Sequence, residues 1–233
     1  MIVCKYMIEY SKKRRSEIIM QEVYSTSSKR DLMGSVLKAF ALSLLVAVVG
    51  MLIGTMVPPA LFMPLMIVEF VMLLAAFFVR KRKSVGYAFL FAFTFISGIT
   101  TYPIVAYYAA TSGAQVLISA FTGTLVIFAV MSFVGTKTKK DLSFLSGFLL
   151  TALLALVVIG LINIFVPFSS TALFVASIIG TVVFSLYIMY DFNRMKNMDF
   201  TDEAVPLLAL NLYLDFINLF LNLLRFFGFL SRD

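Results

Sequence analysis

The segment that most restricts what this chain can fold into is residues 206–224, PLLALNLYLDFINLFLNLL, followed at once by Arg225. Wound as a helix, it carries strongly polar side chains at Asn211, Asp215, Asn218, Asn222 and then Arg225, at steps of four, three, four and three residues. Those steps hold them on one side, so a single polar stripe runs down an otherwise apolar rod. An Asp near the middle of a helix in hydrocarbon costs about 2.5–3.5 kcal/mol even on the gentler insertion scales. The stripe therefore has to face protein or water. A rod that is apolar elsewhere belongs in the middle of a bundle, jacketed by the helices before it.

The rest of the chain supplies that jacket. Of its 233 residues 61% are hydrophobic and 13% charged, and its mean hydropathy is +1.01, which no soluble domain of this size shows. Apolar stretches long enough to cross a core of about 30 Å lie near Val36–Val57, Leu61–Val79, Val85–Tyr107, Gln115–Val134, Leu142–Phe165, Thr171–Tyr190 and Pro206–Leu224. The expected fold is an all-α polytopic membrane protein of seven transmembrane helices, the last one central and wrapped by the other six. Residues 1–34 form a polar, basic, cytosolic tail and residues 35–233 one membrane domain. The tail has no apolar core or small-residue cleavage site of a signal peptide.

The formal charge of +7 is a topology signal rather than a sign of nucleic-acid binding. Eight Lys and Arg precede the first span or lie early in it, four stand at Arg80–Lys83, three at Lys137–Lys140 and two at Arg194 and Lys196. The alternate connections around Pro58, Ser112 and Pro167 hold none. By the positive-inside rule the N-terminus and the basic loops face the cytosol. Seven spans then place the C-terminus outside, although Arg225 and Arg232 sit there; a last segment that re-enters and returns is the other geometry.

Histidine is absent, which removes the imidazole of a Ser-His triad, of haem ligation and of the usual zinc sites. The single cysteine, Cys4, cannot form an internal disulfide. The chain is read as no enzyme and as needing no cofactor. Most polar residues of the jacket look structural: Gly50 and Gly54 form a GxxxG pair suited to close helix packing, and the hydroxyls of Thr94, Ser97 and Thr101 are of the kind that bond a nearby carbonyl.

Three acids lie within or at the edge of apolar spans: Glu69, Asp191 and Asp215. An ionisable group at such depth is a functional candidate by default. Asp191 and Asp215 are equidistant in sequence from residue 203, in the polar connection, so a helical hairpin turning there brings the two carboxylates to similar depth. Two carboxylates within hydrogen-bonding reach cannot both ionise cheaply, so one proton is held between them and the pair acts as a proton-operated latch. Arg80 is eleven residues from Glu69, near three full turns and so on one face. Its planar fork suits it as the countercharge bridging the aspartates.

These residues also carry a likeness. The runs Leu186-Tyr187-Ile188-Met189-Tyr190-Asp191-Phe192-Asn193, Leu212-Tyr213-Leu214-Asp215-Phe216-Ile217-Asn218-Leu219-Phe220 and Leu223-Leu224-Arg225-Phe226-Phe227-Gly228 closely resemble the Bax-inhibitor-motif membrane family, its bacterial members in particular. The resemblance runs from about Leu32 to the C-terminus and includes Gly86-Tyr87-Ala88-Phe89 and Lys139-Lys140-Asp141-Leu142-Ser143-Phe144-Leu145. It implies a last helix wrapped by six others and a calcium leak regulated by pH. It further implies that Asp191 and Asp215 are the pH sensor and that Arg80 engages them. The resemblance also implies that residues 1 to about 20 are extra relative to typical bacterial members, with Met20 as an alternative start to Met1.

The leading expectation is thus a passive, pH-gated Ca²⁺ leak channel of a bacterial plasma membrane, whose partners are calcium ions, protons and the lipid bilayer, with no nucleic acid and no docking domain for a protein partner. Ca²⁺ favours oxygen ligands, and the expected path runs along Asp215, Asn218, Asn222, Asn211 and Glu69, with Asp215 and Asp191 as candidate ligands. A proton-coupled cation exchanger is a close variant, and a non-transporting modulator of a membrane protease or of cell-death machinery is a third reading. An intramembrane aspartyl protease shares the Tyr190-Asp191 pair but wants Gly where this chain has Leu212 and Leu214.

Overall fold

The computed structural model describes residues 31–79 and 85–231. Among the described residues there are seven helices long and apolar enough to cross a membrane, and no strand. They are α1 Asp31–Gly54, α2 Phe62–Val79, α3 Tyr87–Ser112, α4 Ala114–Lys137, α5 Leu145–Phe165, α6 Ser170–Asn197 and α7 Val205–Leu230. Short 3-10 turns, Pro59–Leu61 and Asp202–Ala204, lead into α2 and α7. The chain is an integral membrane protein.

Local chemistry sets the breaks. A single residue, Gly113, separates α3 from α4 with φ at +81°, a left-handed conformation that glycine adopts without the Cβ penalty. Ser169 caps α6, its Oγ accepting from the Ala172 N–H at 3.2 Å. Pro206 sits at the start of α7, where a missing N–H costs nothing. Several helices outrun their apolar stretches: α3 continues to Ser112 and α6 to Asn197, with Arg194 and Lys196 in its last turn, where cations suit the negative end of the helix. An apolar run reports the hydrocarbon thickness, whereas the helix goes on through the headgroup layer. In the same way α1 begins at Asp31, so the last four residues of the expected tail are helical.

Helix α7 is the centre. Of its most apolar window 61% is buried, against 6% for α2 and for α5. It packs on α6, α4 and α3. Helix α1 reaches it through rings: Phe40 stacks on Phe128 of α4 with centroids 5.1 Å apart and meets Phe216 of α7 edge-on at 5.8 Å. Phe128 also meets Phe192 and Phe216 edge-on, which ties α1, α4, α6 and α7 together. The outer helices lean on inner ones, α2 on α3 and α5 on α6, and send Met72 and Leu153 to the shared core. The segment is one unbroken helix of 26 residues, about 39 Å, so the chain does not turn back within it.

Small residues set the spacing. A side chain at Gly50 would strike the Phe95 carbonyl, and one at Gly98 would strike the Ala47 backbone, so α1 and α3 touch backbone to backbone through the GxxxG pair. Gly135 lets α4 reach the Met189 carbonyl of α6. Hydroxyls buried in the helices bond their own backbone, as Ser43 does to Ala39 O at 2.8 Å and Thr124 to Ala120 O at 2.7 Å.

Candidate functional site

The α6–α7 hairpin turns through residues 198–204 and brings Asp191 and Asp215 into one buried cluster. Asp191 stands six residues before the end of α6, about 9 Å, and Asp215 ten residues into α7, about 15 Å. The two residues are 8% and 6% exposed, and each carboxylate stands in the electric field of the other. Asp215 Oδ2 is fully buried with no hydrogen-bond partner. An uncompensated carboxylate oxygen at that depth is expensive, and the relief available to it is a proton or a cation. Tyr187, one turn before Asp191, joins the cluster and feels both aspartates. Arg80, expected as their countercharge, and the basic run with it lie outside the described residues, as do residues 1–30 of the expected tail.

The stripe of α7 continues from Asp215. Asn222 is buried against α6, where a side chain at Gly180 would collide with its amide. Asn218 donates from Nδ2 to Leu214 O at 2.8 Å, and Asn222 donates from Nδ2 to Asn218 O at 2.7 Å. Both amide nitrogens are thus committed to the helix itself, and among the described residues no donor reaches either Oδ1. The row Asp215, Asn218, Asn222 is a line of acceptor oxygens. Asn211 lies one turn nearer the start of α7, partly exposed.

Glu69 is elsewhere. Its Oε2 accepts from Thr100 Oγ1 of α3 at 2.5 Å, and Thr100 also bonds Ser97 O. Across from them on α7 is Tyr213, wholly buried, its hydroxyl facing Ser97 and Glu69. Tyr213 and Asp215 are two residues apart, about 200° around the helix, so they look to opposite sides. The structure therefore brings Asp191 and Asp215 together, extends their row through Asn218 and Asn222, and sets Glu69 on the far side of α7 in a second polar cluster. No group of three or more metal-ligating acids or cysteines converges among the described residues.

Asn193 received no role from its sequence, yet it is the most connected polar side chain here. Wholly buried, it accepts at Oδ1 from Leu142 N at 3.0 Å and donates from Nδ2 to Gly135 O at 3.2 Å and Lys140 O at 3.1 Å. Asn197 Nδ2 donates to the same Oδ1 at 3.1 Å. Asn193 thereby pins the connection between α4 and α5 to α6, two residues from Asp191. Its type and place, a carboxamide two residues after the aspartate where the apolar stretch ends, gave no sign of a partner more than fifty residues away. Tyr187 could have been found, because it stands four residues before Asp191 and so on the same face.

Fold and site define a class: a polytopic helical membrane protein with a buried pair of aspartates between its last two helices. The family model described as Inhibitor of apoptosis-promoting Bax1 matches residues 29–232. The chain belongs to that family. It is similar to a protein of Helicobacter pylori strain J99, 36% identical with 84% of this chain and 86% of that one covered. A protein of Campylobacter jejuni is 32% identical over 80% and 83% of the two chains, and a membrane protein of Vibrio cholerae serotype O1 is 33% identical over 72% and 77%.

Proposed function

We propose that the protein is a pH-regulated calcium leak channel of a bacterial plasma membrane, with its N-terminus in the cytosol, and that Asp191 and Asp215 form the proton sensor. The observation that carries this reading is the partnerless, buried Asp215 Oδ2 in the field of Asp191. A proton on the pair relieves it in one state and a divalent cation relieves it in another. Arg80 is the countercharge assigned to the closed state, tying α2 to the hairpin. When protonation changes, that tie breaks and the polar row of α7 becomes accessible. Ca²⁺, which takes oxygen ligands, then moves past Asp215, Asn218 and Asn222, with Asn211 towards the start of the helix. Glu69 contributes from the opposite face, through its contact with α3, to where α2 rests.

Purified protein in liposomes loaded with a Ca²⁺ dye, measured across a pH series, tests this reading. Wild type is expected to pass Ca²⁺ with a pH-dependent rate, and Asp191→Asn and Asp215→Asn each to flatten the pH profile. Unchanged profiles in both variants sink the sensor. The exchanger variant is separated by a proton dye: Ca²⁺ movement that drives a stoichiometric proton counter-flow means exchange rather than leak.

A further inference from the structure

The end of the bundle away from the aspartates holds a second feature that the calcium reading does not use. A cavity of about 280 Å³ lies between the end of α3, the start of α6 and the end of α7, lined by Tyr107, Tyr108, Ser170, Phe174, Arg225 and Phe229. Arg225, the last member of the polar stripe, is partly buried there and makes no ion pair or hydrogen bond among the described residues; the Tyr108 side chain lies beside it. Among the described residues no acid lines the cavity. Along α7 the nearest carboxylate is Asp215, ten residues or about 15 Å deeper. A guanidinium stays charged at any physiological pH, and one withdrawn from water without a counter-anion is unfavourable.

The start of α6 adds to the same field. Ser170 opens a helix of 28 residues, whose positive end therefore borders the cavity. The N–H of Ala172 is capped by Ser169, while those of Ser170 and Thr171 have no acceptor among the described residues. Phe174 and Phe229 stack at 4.3 Å, giving the cavity an apolar wall. Arg225 stands five residues from the end of α7, roughly 8 Å, the depth at which lipid headgroups meet hydrocarbon.

We propose that this cavity is an oxyanion site, with Arg225 and the first turn of α6 gripping a phosphate group and the aromatic wall excluding water around it. The volume corresponds to about nine waters, room for a tetrahedral anion with part of its shell. Two sources share this chemistry: the headgroup of an anionic phospholipid, entering sideways from the bilayer, and free inorganic phosphate, entering from the aqueous face. A planar fork with a helix start is a pairing well suited to phosphate.

The test is thermal unfolding of the full chain at constant ionic strength, in phosphatidylcholine nanodiscs titrated with inorganic phosphate and in nanodiscs with a rising fraction of phosphatidylglycerol. A saturable rise in midpoint with either probe is expected, weakened about tenfold in apparent affinity by Arg225→Gln and partly kept by Arg225→Lys. Phosphate acting alone identifies a soluble anion, and phosphatidylglycerol acting alone a lipid. Should Arg225→Gln fail to fold, Ser170→Leu at an exposed position narrows the cavity without touching the charge and is expected to weaken the same shift. No saturable shift with either probe, the outcome if Arg225 reaches water instead, overturns the proposal. So does a shift that both Arg225→Gln and Ser170→Leu leave intact.

Discussion

At the scale of residues, the difference between Asp215 and Glu69 is instructive. Both are acids within apolar spans, and the sequence ranks them alike. Glu69 has a hydroxyl partner in Thr100, whereas Asp215 Oδ2 has none. A partner on another helix depends on how two rods are rotated against each other, which spacing along one rod does not reveal. Asn193 makes the same point more sharply, since its ligands are backbone groups of a loop more than fifty residues earlier. Asn193→Ala leaves the buried Leu142 N–H and two carbonyls unmatched. It is expected to destabilise the protein by about 3 kcal/mol, seen as a lowered unfolding midpoint in detergent. An unfolding midpoint equal to that of wild type contradicts the clamp. Thr100→Val, which removes the donor to Glu69, is expected to alter Ca²⁺ flux while leaving its pH dependence in place, because the aspartate pair is untouched.

At the scale of elements, the stripe on the last helix was legible because period 3.6 converts spacing into direction, and the segment indeed became the most buried helix. What the spacing did not show was the breadth of polar contacts around that helix: Tyr213 and Glu69 meet on the side away from Asp215, so the acceptor row and Glu69 do not share a groove. Helix ends were also less legible than helix cores, as in the seven residues by which α6 outruns its apolar stretch. The α6–α7 seam depends on Gly180, whose missing side chain makes room for the Asn222 amide. Gly180→Val drives a branched side chain into that amide. It is expected to cost about 1–3 kcal/mol and to reduce Ca²⁺ flux while the pH midpoint stays. A variant with normal stability and normal flux shows that Asn222 does not depend on that seam.

At the scale of the whole molecule, seven single-pass helices put the two ends of the described chain on opposite faces. On the proposed orientation, which follows the one-sided count of Lys and Arg, the basic face is the cytosolic one. Cys4 is the one native cysteine and Ser231 follows α7, so a membrane-impermeant maleimide reads both ends. In intact cells Cys4 of the wild type is expected to stay unlabelled until the membrane is permeabilised. Ser231→Cys, on a Cys4→Ser background, is expected to label directly, and the reverse pattern inverts the topology. Within that orientation the aspartate pair lies towards the cytosolic side and the Arg225 cavity towards the outer one, the two ends of a single polar stripe. The central claim is that one proton is shared by Asp191 and Asp215 and that its loss or gain changes the grip on α7. Infrared difference spectra of the reconstituted protein across a pH series read the carboxylic-acid stretch directly. The account predicts one protonated-carboxyl band that titrates in step with Ca²⁺ flux and vanishes in both Asp191→Asn and Asp215→Asn; a band that survives either substitution, or flux that titrates without it, contradicts the account.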